Sequence, residues 1–158
     1  MFKRSNKKEN SELIDLLSDI YKLEYSMIVN YPRIARMIKD KETQDLTEML
    51  GTASIKHADT VANVLKQLGG TPLWSLAMFP DDLSLEEIFT QQLEKEIIAQ
   101  KSHQRCSELA RDSALKEEFA SMAEEEKSHI KTVEKILARL RIEKDRDVIG
   151  TAVMAGIK

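Results

Sequence analysis

Apolar residues recur along the first half of the chain with alternating steps of three and four. That spacing places them on one face of an α-helix, which completes a turn every ~3.6 residues. The first such face comprises Leu13, Leu17, Ile20, Met27, Ile34 and Ile38. The second comprises Leu46, Leu50, Ala53, Val61, Val64 and Leu68. Gly69-Gly70 then predicts the end of the second helix, because glycine readily adopts the left-handed turn that closes a helix.

Two further helices are predicted in the second half of the chain. The segment Ser84-Leu85-Glu86-Glu87 has the order of a capping box, in which Ser and Glu satisfy the first free backbone amides of a helix. We expect this third helix to run to about Ala110. The fourth helix is predicted to close near Glu143. Its apolar face comprises Phe119, Met122, Val133, Ile136 and Leu140.

These four faces predict an all-α fold, a four-helix bundle built from two antiparallel helix hairpins. The short turns within each hairpin make its two helices antiparallel. The connection over residues 69–83 is longer and irregular. About 15 residues at roughly 3.3 Å each can run the length of a bundle, so we expect one long crossover, with helices two and three parallel. Pro32 lies inside the first helix, where we expect a kink because proline removes a backbone hydrogen bond.

Length and composition agree with a single helical domain. The chain has 158 residues, of which 5% are aromatic, and its 5 Gly and 3 Pro leave few turn signals for a β-rich fold. We divide it into a basic N-terminal lead over residues 1–10, the bundle over residues 11–143 and a C-terminal tail over residues 144–158. For the tail, docking on the bundle or a partner and a frayed terminus are both open.

Charge and hydropathy exclude several classes of function. The formal net charge is −3 and both signs are interspersed, so the chain lacks the basic surface that neutralises nucleic-acid phosphates. No run of apolar residues approaches the ~20 needed to span a bilayer, and none of signal-peptide length follows the basic start. The single cysteine, Cys106, fits a reducing compartment and is expected to be a small buried residue. We expect a cytoplasmic protein with no nucleic-acid partner and no membrane span.

An internal repeat relates the two predicted hairpins. A shift of 72 places (129 − 57) lays His57-Ala58-Asp59-Thr60-Val61 on His129-Ile130-Lys131-Thr132-Val133. The same shift superimposes two further pairs, Glu24 on Glu96 and Tyr31 on His103. A gap-free offset over both pairs of helices indicates that the halves share one hairpin structure, related by an approximate two-fold axis along the bundle.

Several ionisable residues are in phase with the apolar faces instead of the solvent-facing positions. They are Glu24, His57, Glu96, His103, Glu126 and His129. A carboxylate in a bundle interior is costly unless it is paired, hydrogen-bonded or bound to a cation. A divalent metal resolves the repulsion, and carboxylate with imidazole suits iron or manganese. Glu126 and His129 stand three residues apart on one helix face, the Glu-x-x-His pattern that is typical of di-iron bundles.

At these residues the chain resembles the ferritin-like superfamily, and within it the rubrerythrin and bacterioferritin type. The best local matches are Lys56-His57-Ala58-Asp59, Leu68-Gly69-Gly70-Thr71-Pro72 and Glu124-Glu125-Glu126-Lys127-Ser128-His129. The resemblance covers nearly all of residues 11 to 142. It implies a ferritin-like four-helix bundle with two iron ions as cofactor and manganese as the other candidate metal.

The resemblance also implies a ligand set, position by position. Glu24 and His57 are expected to hold one iron, Glu96 and His129 the other, with Glu126 bridging both. Each helix pair thus contributes one Glu from its first helix and a histidine from its second.

Three other positions bear on this site. Tyr31 matches the tyrosine that commonly lies beside such centres, which implies a catalytic role. No ligand is expected at His103, which we interpret as a partner of a ligand or as a packing residue. Ser54 departs from the pattern, because a second bridging carboxylate is expected there. Its loss leaves two alternatives open, an exchangeable bridging position for water, oxygen or peroxide, or one weakened iron site.

Three functions follow as hypotheses. The first is a di-iron oxidoreductase of peroxidase or ferroxidase type, in which ferrous iron reduces O2 or peroxide; the chain has no Cys-x-x-Cys pair, so an external electron donor is needed. The second is storage or binding of iron or manganese without turnover, and we expect a homodimer in either case. The third is a metal-free helical bundle that serves as an interaction module, with Ser54 as the first sign of a lost site.

Overall fold

The computed structural model describes residues 2–76 and 78–155 of the chain. Within those residues the secondary structure is entirely helical, which confirms the all-α prediction. The helices are α1 (Phe2–Ala35), α2 (Lys41–Gln67), α3 (Leu85–Leu109) and α4 (Ser113–Ala155). In the described part of the chain, no helix combines the length and the apolar character that a membrane crossing requires.

The helix ends follow local sequence signals. Ser84 Oγ accepts a hydrogen bond from the Glu87 backbone N–H, and the Glu87 carboxylate accepts one from the Ser84 N–H, so the predicted capping box opens α3. At the end of α2, Gly69 has a φ of 85° and the Gly70 N–H donates to the Leu65 carbonyl at 2.8 Å. This is the predicted left-handed closure. A Cβ on Gly70 would overlap the Leu65 side chain, so the second glycine is also required.

The order in which each helix passes two buried apolar clusters shows its direction in the bundle. The Phe89 cluster comprises Met27, Tyr31, Ile34, Ile38, Leu50, Phe79, Ile88, Phe89, Ala99, Val133, Ile136 and Leu137. The Phe119 cluster comprises Leu13, Leu17, Ile20, Val61, Val64, Leu65, Cys106, Ala110, Phe119 and Met122. Helices α1 and α4 run from the Phe119 cluster to the Phe89 cluster, whereas α2 and α3 run the opposite way. Each hairpin is therefore antiparallel, and α2 and α3 are parallel across one long crossover, as predicted.

A layer of buried polar side chains separates the two clusters. All four helices contribute to it, and its fully buried members include Glu24, His57, Glu96, His103 and Glu126. Apolar side chains above and below exclude bulk water from this layer, so its charges must be balanced from within. Cys106 lies beside the layer in the Phe119 cluster and is fully buried, as expected.

Two helix bounds differ from the expected ones. Helix α1 begins at Phe2, within the basic lead, and α4 continues past the expected end at Glu143 to Ala155. The expected end of α4 was wrong because residues 144–155 contain no proline. Their only glycine, Gly150, costs a helix about 1 kcal/mol and does not stop it. The division of the chain at residues 10 and 143 remains a prediction, although no helix ends there. Pro32 does not break α1.

Candidate metal centre

Helices α1 and α3 face each other with two reciprocal contacts across the polar layer. The Tyr31 hydroxyl on α1 donates a hydrogen bond to Glu96 on α3. In the other direction, His103 Nε2 on α3 lies 3.2 Å from Glu24 Oε1 on α1. Tyr31 follows Glu24 by seven residues and His103 follows Glu96 by seven, so the two contacts obey the 72-residue repeat. His103 is thus a hydrogen-bond partner of an expected ligand, one of the two roles anticipated for it.

Helices α2 and α4 add two histidines and a carboxylate that lies between them. His57 Nδ1 is 2.7 Å from Glu126 Oε1 and 3.4 Å from Glu24 Oε1. On the other side, His129 Nδ1 is 3.0 Å from Glu126 Oε2 and 3.6 Å from Glu96 Oε2. Glu126 therefore faces one histidine with each of its oxygens.

The resulting centre has two halves that share Glu126. One half contains Glu24, His57, His103 and Glu126, and the other contains Glu96, Glu126 and His129. Within each half, one ligand atom per residue lies within 4.8 Å of all the others. The structure therefore brings together all five residues that the sequence assigns as ligands. Ser54 is also buried, on α2 three residues before His57.

The centre leaves several buried polar atoms without a hydrogen bond. They are Glu24 Oε2, His57 Nδ1, Glu96 Oε2, His103 Nδ1 and Glu126 Oε1. His57 Nδ1 and Glu126 Oε1 belong to this set although they are 2.7 Å apart, because the contact lacks hydrogen-bond alignment. A buried unsatisfied carboxylate oxygen costs about 1–3 kcal/mol or more. Carboxylate oxygens and imidazole nitrogens with free lone pairs are the donors that a divalent transition metal takes, so the residues present fit such an ion.

Nearby carboxylates raise the pKa values of His57 and His129, which favours the protonated form of both rings. Burial alone lowers the pKa of His57, but the carboxylates of Glu126 and Glu24 outweigh it and raise that pKa to about 10. Burial likewise opposes the pKa rise of His129, which Glu126 and Glu96 bring to about 9. The charge partners of the three carboxylates in the described residues are all histidines. A bound cation would therefore replace protons at Nδ1 of both rings.

The carboxylates respond differently to the same environment. Burial is the main cause that raises the pKa of Glu96 to about 7, and the neighbouring Glu126 adds to it. Burial also acts to raise the pKa of Glu126, but its hydrogen bond to His129 and its close contact with His57 prevail and hold that pKa well below the ordinary value. Tyr31 is buried against Glu96, and both factors raise the pKa of its hydroxyl, which keeps its proton.

One contact of the centre was missed at the level of sequence. His57 Nε2 lies 3.1 Å from Glu125 Oε2, and Lys56 Nζ lies 2.8 Å from Glu125 Oε1. The imidazole N–H at Nε2 donates to this carboxylate, which orients the ring with Nδ1 toward the centre. Glu125 stands within the run Glu124-Glu125-Glu126, and the run itself does not show which member faces α2. Only the helical phase relative to Glu126 separates them.

Three solved structures share this architecture at low sequence identity. The first is a bacterioferritin from Desulfovibrio desulfuricans, described with a diiron site in different catalytic states; it is 17% identical, with a TM-score of 0.73 over 90% of this chain and 88% of the bacterioferritin. The second, a ferritin-like diiron-carboxylate protein from Bacillus anthracis, is 23% identical, with a TM-score of 0.69 over 82% of this chain and 97% of its own. The third is a dodecameric thioferritin, the bacterioferritin-related protein of Bacteroides fragilis; it is 16% identical, with a TM-score of 0.73 over 87% of this chain and 90% of its own.

Sequence comparison identifies the family directly. No curated protein sequence matches the chain. The family model of the ferritin-like domain matches residues 14–142, which contain the whole polar layer and both apolar clusters except Leu13. The four-helix topology, the buried Glu and His residues and this match lead to one conclusion: the chain belongs to the ferritin-like family.

Proposed function

We propose that the protein binds two iron ions in the polar layer and oxidises ferrous iron with O2 or peroxide. The observation that carries this proposal is the set of buried, unpartnered carboxylate oxygens that converge with three imidazoles between two apolar clusters. Iron is favoured over manganese because two of the similar structures are described as diiron proteins. Manganese stays an alternative metal.

The two halves of the centre support the ligand set that the resemblance implies. Glu24 and His57 would hold one ion and Glu96 and His129 the other, with Glu126 shared, since its two oxygens face His57 and His129. Three carboxylates offset three of the four positive charges that two ferrous ions bring. The missing carboxylate at Ser54 therefore leaves one positive charge unmatched, which favours a small anion or a polarised oxygen species at that side.

Iron bound there would supply the electrons: two Fe2+ become two Fe3+ while one hydrogen peroxide takes up two electrons and two protons and becomes two water molecules. The chain's own residues prepare this chemistry. The Tyr31 hydroxyl donates a hydrogen bond to Glu96 and fixes that carboxylate. Glu125 orients His57. The apolar clusters keep bulk water away from the layer. Return of iron to the ferrous state requires an external electron donor.

The proposal is tested by anaerobic titration with ferrous iron, followed by rapid mixing with peroxide or with O2. We expect about two ferrous ions per chain and an absorbance change that reports oxidation. Glu126→Gln removes the shared carboxylate without changing its shape, and should lower the iron count and the oxidation rate together. The matched control is Glu124→Gln, because Glu124 is on the same helix but exposed and paired with Lys127.

The outcomes separate the three candidate functions. Wild-type protein that binds no iron would contradict the proposal and leave the metal-free interaction module. Iron that is bound and oxidised once, without turnover in the presence of an added reductant, would indicate storage. Repeated turnover with reductant and peroxide would identify an oxidoreductase. Sedimentation of the same samples tests the expected homodimer against a larger shell such as the dodecamer of the Bacteroides fragilis protein.

A further inference from the structure

The third histidine of the polar layer has no assigned role in the metal chemistry. We propose that His103 is a direct ligand, through Nε2, of the metal ion held by Glu24 and His57, and supplies the donor that Ser54 does not. This inference rests on the proposed metal function and adds a residue to its ligand set. The resemblance to known di-iron proteins implies no ligand at this position.

The geometry places His103 Nε2 within the first half of the centre. This nitrogen lies 3.2 Å from Glu24 Oε1 and 3.7 Å from Glu126 Oε1. The centroids of the His103 and His57 rings are 5.4 Å apart in an edge-on arrangement. One donor atom from each of these four residues lies within 4.8 Å of the other three. Two imidazole nitrogens and two carboxylate oxygens form a complete four-donor set for a divalent transition metal.

The surroundings of His103 hold the ring in that orientation. Its side chain is 0% exposed, and the ring is stacked on Phe119 with an interplanar angle of 18°. His103 Nδ1 has no hydrogen-bond partner. Coordination of a metal ion by Nε2 therefore breaks no hydrogen bond at Nδ1. Nε2 instead lies close to two expected metal ligands, Glu24 at 3.2 Å and Glu126 at 3.7 Å.

Comparison with Tyr31 shows why the histidine is more than an orienting group. The repeat places Tyr31 and His103 in equivalent positions, and each reaches the glutamate of the facing helix. The Tyr31 hydroxyl faces a carboxylate, which only accepts hydrogen bonds, so it serves as a hydrogen-bond donor. An imidazole, which stands at the equivalent position, is a common neutral ligand of divalent transition metals. It binds a metal without adding a fourth negative charge.

The consequence is an unequal pair of metal sites. The ion at Glu24 and His57 has four protein donors when His103 is included, whereas the ion at Glu96 and His129 has three. The first ion should therefore bind more tightly and fill first. The second ion keeps more positions that protein donors do not fill.

The inference is tested with cobalt(II), whose paramagnetism shifts the ring N–H protons of coordinated histidines far outside the normal proton NMR range. If His103 is a ligand, the cobalt-loaded wild-type protein should show three shifted, exchangeable N–H signals, one for each histidine in the chain. His103→Gln should show two. It should also weaken the tighter cobalt equivalent by at least about tenfold, the lower end of the effect of losing even an outer partner of a ligand. Cys106→Ala is the matched control, since Cys106 is buried on the same face of α3 one turn further and should leave all three signals.

Each result has a defined meaning. Two shifted signals in the wild-type protein would overturn the inference and leave His103 as a positioning residue for Glu24, whatever the cobalt affinity of His103→Gln, while the proposed function would stand. No cobalt uptake by the wild-type protein would overturn the metal function itself. The wild-type signal count decides the question even if His103→Gln does not fold.

Discussion

The two helix hairpins are similar in position and different in chemistry. The α3–α4 hairpin carries Glu96, Glu126 and His129, a complete set of expected ligands. The α1–α2 hairpin carries Glu24 and His57, but Ser54 stands at the position equivalent to Glu126. The first hairpin is therefore one carboxylate short, and the imidazole of His103 reaches it from the second. The difference shows that a two-fold backbone can present two groups of carboxylate and imidazole side chains that are unequal in charge and in number.

Restoring the missing carboxylate should have the largest effect. In Ser54→Glu the metal-free protein gains a fourth buried carboxylate, so its free energy of unfolding should fall by on the order of 3 kcal/mol or more. The metal-loaded protein should gain affinity for its second ion. Chemical denaturation with and without ferrous iron measures both changes. Thr52→Glu, an exposed position on the same helix, serves as the control. An unchanged affinity for the second ion would show that position 54 does not face the metals.

The free energy of unfolding of the metal-free protein should depend on pH through one histidine from each hairpin, His57 and His129. Their pKa values in the folded state are about 10 for His57 and about 9 for His129, above the ordinary 6.5. Groups with raised pKa values stabilise the fold below the ordinary pKa and lose that contribution as pH rises through the folded value. Stability should thus fall between pH 6.5 and about 10, by on the order of a few kcal/mol, as ~1.4 kcal/mol corresponds to one pKa unit.

Denaturation midpoints in the presence of a chelator, at several pH values across that window, test this expectation. Glu96 acts in the same direction at lower pH, since its pKa is about 7 against an ordinary 4.5. His57→Gln should remove the loss of stability near pH 10, and His129→Gln should remove the loss near pH 9. A metal-free protein whose stability rises from pH 6.5 to 9 would contradict these pKa values.

Loss of the hydrogen bond between His57 and Glu125 should have a moderate effect on metal affinity, and only in the half of the centre that contains His57. Glu125→Gln weakens the acceptor that orients the ring through Nε2, so affinity at that half should fall by roughly 10- to 100-fold. The ion at Glu96 and His129 should be unaffected. Two-step titration with ferrous iron resolves the two equivalents. Glu118→Gln, an exposed change on the same helix, is the control. An equal loss at both equivalents would show that the halves are not independent.

Loss of the Tyr31 hydroxyl should have the smallest effect. Tyr31→Phe removes the hydrogen bond to Glu96, and a buried carboxylate that loses a donor is destabilised by about 1–3 kcal/mol. Without this donor the pKa of Glu96 should rise further, since the bond to Tyr31 lowers it. Thermal unfolding and the oxidation rate are both measured, with Tyr25→Phe as the control on the same helix. A variant with unchanged stability and rate would leave Tyr31 as a packing residue.

The sequence predicted the four helices, their directions and the membership of the polar layer. These follow from periodicity and from the repeat, which a single chain displays in full. It did not predict the partner of His57, because three consecutive glutamates differ only in helical phase and the neighbouring helix decides which one is used. It also did not predict where α4 ends. Residues 144–155 contain no strong stop signal, so the end depends on energies of a fraction of a kcal/mol per residue.

The two apolar clusters have a consequence for how the chain can be divided. Each cluster contains side chains from all four helices, so neither hairpin has a separate hydrophobic core. A cut in the crossover between Gly70 and Phe79 would yield two fragments, each of which carries only part of the side chains of both apolar clusters. Such fragments should remain unfolded alone and become helical only on mixing, so the repeat unit of this protein is not its unit of stability.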